Sequence, residues 1–184
     1  QEQVILISPI SNYATNETNT VFSWYQLYNA DDYRFEIRTP DWNGSLALNP
    51  EIVTGGNYTP NILPEGNYEW GVQAQNSISN TDFSTRKITI DRTNPGTPSL
   101  ISPAHQSILS NSSFTFSWNR VTDSGTTIQD SLTIYSDSVL TAPVKNYFLT
   151  PTSKTDSLGV GKYYWRVRSI DEAGNKSNYS QIYS

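Results

Sequence analysis

Cysteine is absent from the 184-residue sequence, and histidine occurs once. Without cysteine the chain has no disulfide, no thiolate metal ligand and no cysteine nucleophile. One histidine without cysteine also argues against a structural zinc site, which draws its ligands mainly from these two residue types. The fold must therefore be held by apolar cores alone, for which domains of about 90 residues are large enough.

Positive charge is scarce as well, since 12 Lys and Arg residues stand against 17 Asp and Glu residues and the net charge is −5. The basic residues are scattered, so the chain has no basic stripe for nucleic acid and no cluster for an anionic membrane surface. No apolar run approaches the roughly 18 residues of a membrane-spanning helix, and no signal-peptide pattern is present. We expect no nucleic-acid partner, no transmembrane segment, and a mature or trimmed chain that starts at Gln1.

Aromatic and small polar residues take the place of charge. The sequence has 12 Tyr, 5 Trp and 6 Phe residues, while charged residues make up only 16%. Disordered chains are poor in aromatics, so this composition indicates a folded protein. Thr and the aromatics suit strands, whereas Ser, Asn, Gly and Pro suit turns, which favours a β-rich fold.

Three short motifs occur twice in the same order, 94 or 95 residues apart. They are Leu6–Pro9 and Leu100–Pro103, Phe22–Trp24 and Phe116–Trp118, and Gly66–Val72 and Gly161–Val167. Such self-similarity indicates a duplicated domain. Between the copies, Pro95, Gly96 and Pro98 mark an extended linker. We place domain 1 at 1–91, the linker at 92–97 and domain 2 at 98–184.

Apolar and polar residues alternate within each copy. In domain 1 this holds around Tyr33–Ile37 and Tyr68–Ala74, and in domain 2 around Tyr163–Val167. A period of two residues indicates strands with one face in a core and the other in water. We find no helical pattern of ten residues or more, so short strands separated by turns predict β-sandwiches.

The order of the motifs, Leu-Ile-Ser-Pro, Phe-Ser-Trp, Tyr-x-Phe-x-Ile and Gly-x-Tyr-x-Trp-x-Val, resembles that of bacterial fibronectin type III-like domains over nearly all of both halves. The segment 170–177 resembles the F–G turn of these domains. The resemblance implies an all-β chain of two tandem fibronectin-III/Ig-like β-sandwiches joined by a short Pro-rich linker. It also implies six core aromatics: Trp24, Tyr68 and Trp70 in domain 1, and Trp118, Tyr163 and Trp165 in domain 2.

Two positions depart from the family pattern. The loop before Tyr68 and Tyr163 is one residue shorter than in animal members, so the hydrogen bond of a tyrosine corner is an open question. In domain 2, Asp130 stands where domain 1 has Tyr33, so that strand begins differently.

For function, the resemblance implies spacers, adhesion modules and surface lipoproteins that hold glycans or dock on outer-membrane complexes. We expect a non-catalytic interaction or spacer module on the outer face of a bacterial outer membrane. It would be a surface lipoprotein or a segment of a secreted protein, with a protein partner in an outer-membrane assembly. The alternative is a carbohydrate-binding surface protein.

Catalytic patterns are missing. His105 is the only histidine and lies in a predicted turn, and no Gly-x-Ser-x-Gly elbow accompanies it. No phosphate-binding Gly-x-Gly-x-x-Gly or Walker motif occurs. We therefore interpret His105 as a surface residue and expect neither enzymatic activity nor a cofactor, with a hydrolase as the least favoured class.

Trp42 is the one tryptophan without a counterpart in the other copy. It lies in a turn-rich segment, where an exposed indole would stack on a sugar or anchor a protein partner. The alternative is that it folds back over the sandwich. We name Trp42, Tyr58 and Tyr28 as candidate residues for binding a ligand or partner.

Two further site types rest on short patterns. Asp171, Glu172 and Asn175 offer oxygen ligands for Ca²⁺, although Asp and Asn also shape turns through backbone hydrogen bonds, and we expect no metal. Ser131, Ser138 and Ser157 each follow Asp and precede an apolar residue, as in a bacterial O-glycosylation pattern. Matches to that pattern also arise by chance in a chain rich in Asp and Ser.

Overall fold

The structure is a computed structural model that describes residues 2–123 and 125–184. The chain divides into two compact units, Gln1–Arg92 (unit 1) and Thr93–Ser184 (unit 2). In the described residues the regular secondary structure consists of strands, as the alternation pattern predicts. None of these residues belongs to a helix long and apolar enough to cross a membrane. The bounds of the linker, 92–97, stay a prediction.

Unit 1 is a sandwich of two sheets. Its strands are β1 (Leu6–Ser8), β2 (Tyr13–Thr15), β3 (Phe22–Trp24), β4 (Asp32–Thr39), β5 (Ser45–Leu46), β6 (Glu51–Val53), β7 (Asn57–Tyr58), β8 (Gly66–Gln75) and β9 (Ser84–Ile90). One sheet has the order β1-β3-β7, and the other has the order β2-β9-β8-β4, with β5 and β6 both pairing with β4. All pairs are antiparallel except β2–β9.

The chain changes sheets between β1 and β2, and one arginine bridges the two sheets there. Leu6 pairs with Trp24 in the smaller sheet, whereas β2 runs along β9 in the larger one. From β9, the Arg86 guanidinium donates to the carbonyl oxygens of Leu6, Ile7 and Pro9 at 2.6, 2.9 and 2.9 Å. These charge-assisted bonds satisfy carbonyls that β1 leaves unpaired at the sheet edge.

The core of unit 1 is aromatic. Phe22 meets Trp70 edge-on at 5.0 Å between ring centroids, and Trp24 lies 5.7 Å from Tyr33. Trp24, Tyr68 and Trp70 are all buried, which confirms their predicted place in the core. The Tyr68 hydroxyl donates to the Pro64 carbonyl at 3.0 Å, so unit 1 does form a tyrosine corner. Burial raises the pKa of Tyr68 above its usual value, and the positive charge of Arg92 partly offsets this.

Unit 2 is a second sandwich. Its strands are β10 (Ser99–Ser102), β11 (Ser113–Asn119), β12 (Ile128–Tyr135), β13 (Pro143–Leu149), β14 (Ser153–Ser157) and β15 (Tyr164–Asp171). They form two sheets with the orders β10-β11-β14 and β13-β12-β15, and all pairs are antiparallel. Trp118 and Trp165 are buried between the sheets and Tyr163 packs against them partly buried, which confirms the predicted core.

Two serines take the place of backbone acceptors beside β15. Ser177 N donates to the Ser169 carbonyl, and Ser169 N donates back to the Ser177 hydroxyl oxygen, both at 2.9 Å. Ser180 and Val167 form the same reciprocal pair at 2.8 and 3.0 Å. The segment after β15 therefore covers this edge of the sheet without adopting regular strand geometry.

A buried carboxylate distinguishes the core of unit 2 from that of unit 1. Asp130 pairs with Ser169 on β15 as Tyr33 pairs with Ala74 on β8, so Asp130 occupies the place of Tyr33. Asp130 is fully buried and accepts from Trp118 Nε1 at 2.5 Å, as well as from the Ser169 hydroxyl at 2.7 Å.

Arg120 supplies the compensating charge. Its guanidinium lies 2.7 Å from a carboxylate oxygen of Asp130 and is itself largely buried. In unit 1 the equivalent indole nitrogen, Trp24 Nε1, is buried without a hydrogen-bond partner among the described residues. One core is thus almost purely apolar at this point, while the other contains an ion pair.

We expect replacement of Asp130 with Ala to destabilise unit 2 by about 3–5 kcal/mol, because Arg120 and Trp118 Nε1 would lose their shared acceptor inside the protein. Urea denaturation followed by tryptophan fluorescence measures the change. The matched control is Tyr33→Phe in unit 1, which removes one hydrogen bond, to Leu27 N, and should cost about 1 kcal/mol. A smaller loss for Asp130→Ala than for the control would contradict this account.

Candidate functional site

The turn after β4 places Trp42 on the outer face of the larger sheet of unit 1. Asp41 closes this turn, since its side chain accepts from Asn43 N and its carbonyl accepts from Gly44 N, both at 2.9 Å. Trp42 N then donates to a carboxylate oxygen of Glu69 on β8 at 3.0 Å. The turn is thereby fixed against the sheet.

The indole of Trp42 packs on this face and is half-buried. It packs 4.9 Å from Phe83, and the Arg38 guanidinium stands 5.2 Å from its centroid. A methyl group at Gly71 would come within 2.6 Å of the indole, so only glycine leaves room for the ring. Of the two alternatives for Trp42, the structure shows the one in which the side chain folds back over the sandwich.

Ion pairs consolidate the same face. The Glu36 carboxylate is almost fully buried, although its strand position faces outward, because Arg34 and Arg38 cover it at 2.6 and 2.7 Å. Glu69 accepts from the Thr85 hydroxyl at 2.5 Å in addition to Trp42 N. Trp42 itself stays partly exposed on this face.

The other two candidate aromatics lie elsewhere. Tyr58 on β7 packs into the core at 5.0 Å from Phe35, and burial, reinforced by the negative charge of Glu51, raises its pKa. Trp42 and Tyr58 therefore lie on opposite sides of the larger sheet and do not form one site. Tyr28 is fully exposed on the loop between β3 and β4. The structure does not bring the three candidate residues Trp42, Tyr58 and Tyr28 together.

Asp171 shapes the turn that follows β15. Its two carboxylate oxygens accept from Asn175 N and Asn175 Nδ2, each at 2.8 Å, and both residues are buried. Gly174 adopts a positive φ of 90° between them, and Glu172 is exposed. This is the turn-shaping role weighed above, and the expectation that Asp171, Glu172 and Asn175 hold no metal stays a prediction.

His105 lies on the surface, as predicted. Its Nδ1 accepts from Ser184 N at 3.2 Å, and its ring lies 5.5 Å from that of Tyr183. Through Nδ1 this histidine links the turn after β10 to the segment after β15.

The three candidate glycosylation serines differ in accessibility. Ser131 lies on the central strand β12 and is only 5% exposed, so its hydroxyl is inaccessible in the folded unit. Ser138, between β12 and β13, and Ser157, at the end of β14, are both exposed. Glycosylation of Ser138 and Ser157 stays a prediction.

One carboxylate, that of Asp156, links the two sheets of unit 2 at their open edge. Asp156 on β14 accepts from the Tyr147 hydroxyl on β13, and Lys145 Nζ lies 3.3 Å away. The Tyr147 hydrogen bond lowers the pKa of Asp156 and raises that of Tyr147. Asp156 therefore stays ionised and suits a structural bond better than acid–base catalysis near neutral pH.

Sequence reasoning missed a stack of side chains on the outer face of unit 2. The Arg166 guanidinium lies 3.6 Å from the ring centroid of Tyr179 and 5.4 Å from that of Tyr135, and Arg168 lies 4.7 Å from Tyr179. Arg166 occupies the repeat position of Gly71, so the same place on the fold holds an indole in one unit and a guanidinium in the other. Arg166 and Arg168, which alternate with apolar residues along β15, were the feature of the sequence that could have indicated this stack.

Comparison with known proteins shows the fold. No protein-family model matches the sequence, and no curated protein matches it at a significant level. The chain is similar to the fibronectin(III)-like modules of Clostridium thermocellum CbhA, with a TM-score of 0.62 and 11% identity over 98% of this chain and 91% of that one. It is also similar to the FN1–FN3 domains of chicken CNTN1, with a TM-score of 0.58 and 17% identity over 98% of this chain and 64% of that one.

These likenesses agree with the two sandwiches described above. The chain is an all-β tandem of fibronectin type III-like units, which confirms the predicted fold class. Because one fold hosts many roles, the function must be argued from the surfaces of this chain.

We expect replacement of Gly71 with Ala to lift Trp42 off the sheet and to cost about 1–3 kcal/mol, because the added methyl group overlaps the indole. Urea denaturation gives the stability, and a red shift of tryptophan emission reports the exposed indole.

The same Gly71→Ala change in a Trp42→Ala background is the control, since the methyl group then has space. The penalty should largely disappear there, and the difference measures the coupling between the two positions. An equal penalty in both backgrounds would show that Trp42 does not depend on Gly71.

Proposed function

We propose that this chain is a non-catalytic interaction and spacer module of a bacterial cell-surface protein. In this proposal it belongs to a surface lipoprotein or a secreted protein and docks on a protein assembly at the outer face of the outer membrane. The protein partner, the lipid anchor and the location are parts of the proposal, and the resemblance to bacterial surface modules supports them.

The observation that carries this proposal is where the reactive and the bulky apolar side chains lie. Three ionisable side chains of the types used in catalysis form structural bonds instead: His105 with Ser184 N, Asp130 with Arg120, and Asp156 with Tyr147. Large apolar side chains are instead displayed on loops, where Tyr28 is the clearest case. Binding residues are commonly found on loops that a rigid scaffold positions.

A spacer role is supported by the way each sandwich is closed. Arg86 joins the two sheets of unit 1, and the Tyr147–Asp156 bond joins those of unit 2. The edge beside β15 is covered through the hydroxyls of Ser177 and Ser180. Units whose edges are closed in this way resist strand pairing with other chains and suit a stiff, soluble connector.

The test is a pull-down with the full folded chain as bait from detergent-solubilised outer membranes of the bacterium that encodes it. We expect retention of an outer-membrane protein that a heat-denatured bait does not retain. Retention of the same proteins by both baits, or turnover by the chain on a glycan or peptide library, would contradict the proposal.

The second candidate function is carbohydrate binding at Trp42. It is favoured by the partly exposed indole on the outer face of unit 1, because an aromatic ring can stack on a sugar. Tyr58 cannot contribute to such a site, because it packs in the core.

Affinity gels that contain a panel of polysaccharides test this second function. The wild-type chain should be retarded in at least one gel. Support for this function requires that Trp42→Ala abolish the retardation and that Tyr25→Ala leave it intact. Tyr25 is a suitable control because it is a largely exposed aromatic on the loop that follows β3, away from Trp42 in the strand order. Unretarded migration of the wild type on every polysaccharide would remove this candidate.

A further inference from the structure

Two loops form one end of unit 1, and we call residues 25–31 and 76–83 the loop end. The first loop connects β3 to β4 and the second connects β8 to β9, and they meet where Asp32 pairs with Gln75. The chain leaves the unit after Ile90, which pairs with Gly66 at the other end of β8. Within unit 1, the loop end is therefore the end remote from the chain exit.

Side-chain hydrogen bonds hold the two loops to each other. The Asn76 amide nitrogen donates to the Asn29 carbonyl at 2.9 Å, and its amide oxygen accepts from Ile78 N and Ser79 N at 3.0 Å each. Asp31 adds a bond from its backbone nitrogen to the Gln75 carbonyl at 2.8 Å. A surface arranged before binding loses less conformational entropy when a partner arrives.

Large side chains are displayed at the tips of these fixed loops. Tyr28 is fully exposed, and Ile78 on the neighbouring loop is 91% exposed. Between the loops runs an open groove of about 100 Å³ whose lining includes Tyr28, Leu27, Ala30 and Asn76. Exposed aromatic and aliphatic side chains on rigid loops beside a groove are features of binding surfaces.

The charge around the loop end has one sign. Exposed carboxylates stand there at Glu2, which lines the groove, and at Asp31 and Asp82 on the loops. Unit 1 as a whole contains eleven acidic and five basic residues.

The basic residues of unit 1 lie elsewhere. Arg34 and Arg38 are paired with Glu36, and Arg86 bonds the carbonyls of β1. Arg92 donates to the Leu63 carbonyl near the chain exit, and Lys87 stands opposite Glu69 in the strand register. The carboxylates of the loop end therefore have no counter-charge at that end among residues 2–92.

We infer that the loop end is the docking surface for a protein partner on which an apolar pocket is bordered by Lys or Arg residues. Tyr28 and Ile78 enter the pocket, and the carboxylates of Glu2, Asp31 and Asp82 face the bordering cations. Apolar contacts supply most of the affinity, and the charges speed association and select the partner. This inference rests on the proposed function, since it assigns the protein-binding role to one surface.

The probe is a display library of random twelve-residue peptides selected on the immobilised full chain. We expect enriched peptides to combine apolar residues with Lys or Arg and to bind more weakly as salt rises. Tyr28→Ala and Ile78→Ala should each weaken binding about tenfold. Val160→Ala, which alters a fully exposed aliphatic residue in unit 2, is the matched control and should leave binding unchanged.

Charge reversal gives an independent variant. Glu2→Lys combined with Asp82→Lys alters exposed carboxylates only, so the fold should keep its urea midpoint while peptide binding falls. Enrichment of acidic peptides, a failure to enrich basic-apolar peptides, or binding that survives replacement of Tyr28 and Ile78 would each overturn the inference.

The membrane pull-down separates the two proposals. If the Tyr28→Ala, Ile78→Ala double variant retains the outer-membrane partner as well as the wild type does, the docking surface is wrong and the proposed function stands. If the folded chain retains no partner that the denatured bait lacks, the proposed function fails, while the peptide selection still decides whether the loop end binds basic-apolar segments.

Discussion

Burial of tryptophan between two β-layers is the constraint on which each unit depends. No disulfide is available, so the aromatic contacts must supply the cohesion that cross-links give in many small secreted domains. In unit 1 the rings of Phe22, Trp24 and Trp70 are less than 3% exposed, and burying a side chain of this size contributes about 1.5–3 kcal/mol. The two units differ at the indole nitrogen, because Trp118 Nε1 donates to Asp130, while Trp24 Nε1 has no partner within residues 2–123 and 125–184.

Polar side chains satisfy backbone groups at the margins of each sandwich, outside the aromatic core. At the margins of each sandwich, strands end and carbonyls or amides lose their ladder partners. Arg86 satisfies three such carbonyls in unit 1, and the hydroxyls of Ser177 and Ser180 satisfy two amides in unit 2. Each bond joins residues that are apart in sequence, so the margins add specificity to a fold that hydrophobic burial drives.

The two units also differ on their outer faces. Gly71 admits the Trp42 indole in unit 1, whereas Arg166 stacks on Tyr179 at the equivalent place in unit 2. The cores retain the shared tryptophans because a packed interior tolerates few shapes. Outer faces and loops carry no such restriction. Binding residues can therefore arise at the loop end and at Trp42, and not in the cores.

The sequence alone determined the architecture. Alternation around Tyr33, Phe35, Trp70 and Val167 identifies core positions because side-chain direction along a strand is a local property with a period of two. What only the tertiary structure decided concerns residues whose surroundings come from distant segments. Trp42 lies on Gly71, Tyr58 packs against Phe35, Ser131 is enclosed by neighbouring strands, and Tyr28 shares its loop end with Ile78. No local pattern encodes these contacts, since each depends on which strands and loops the fold brings together across tens of residues.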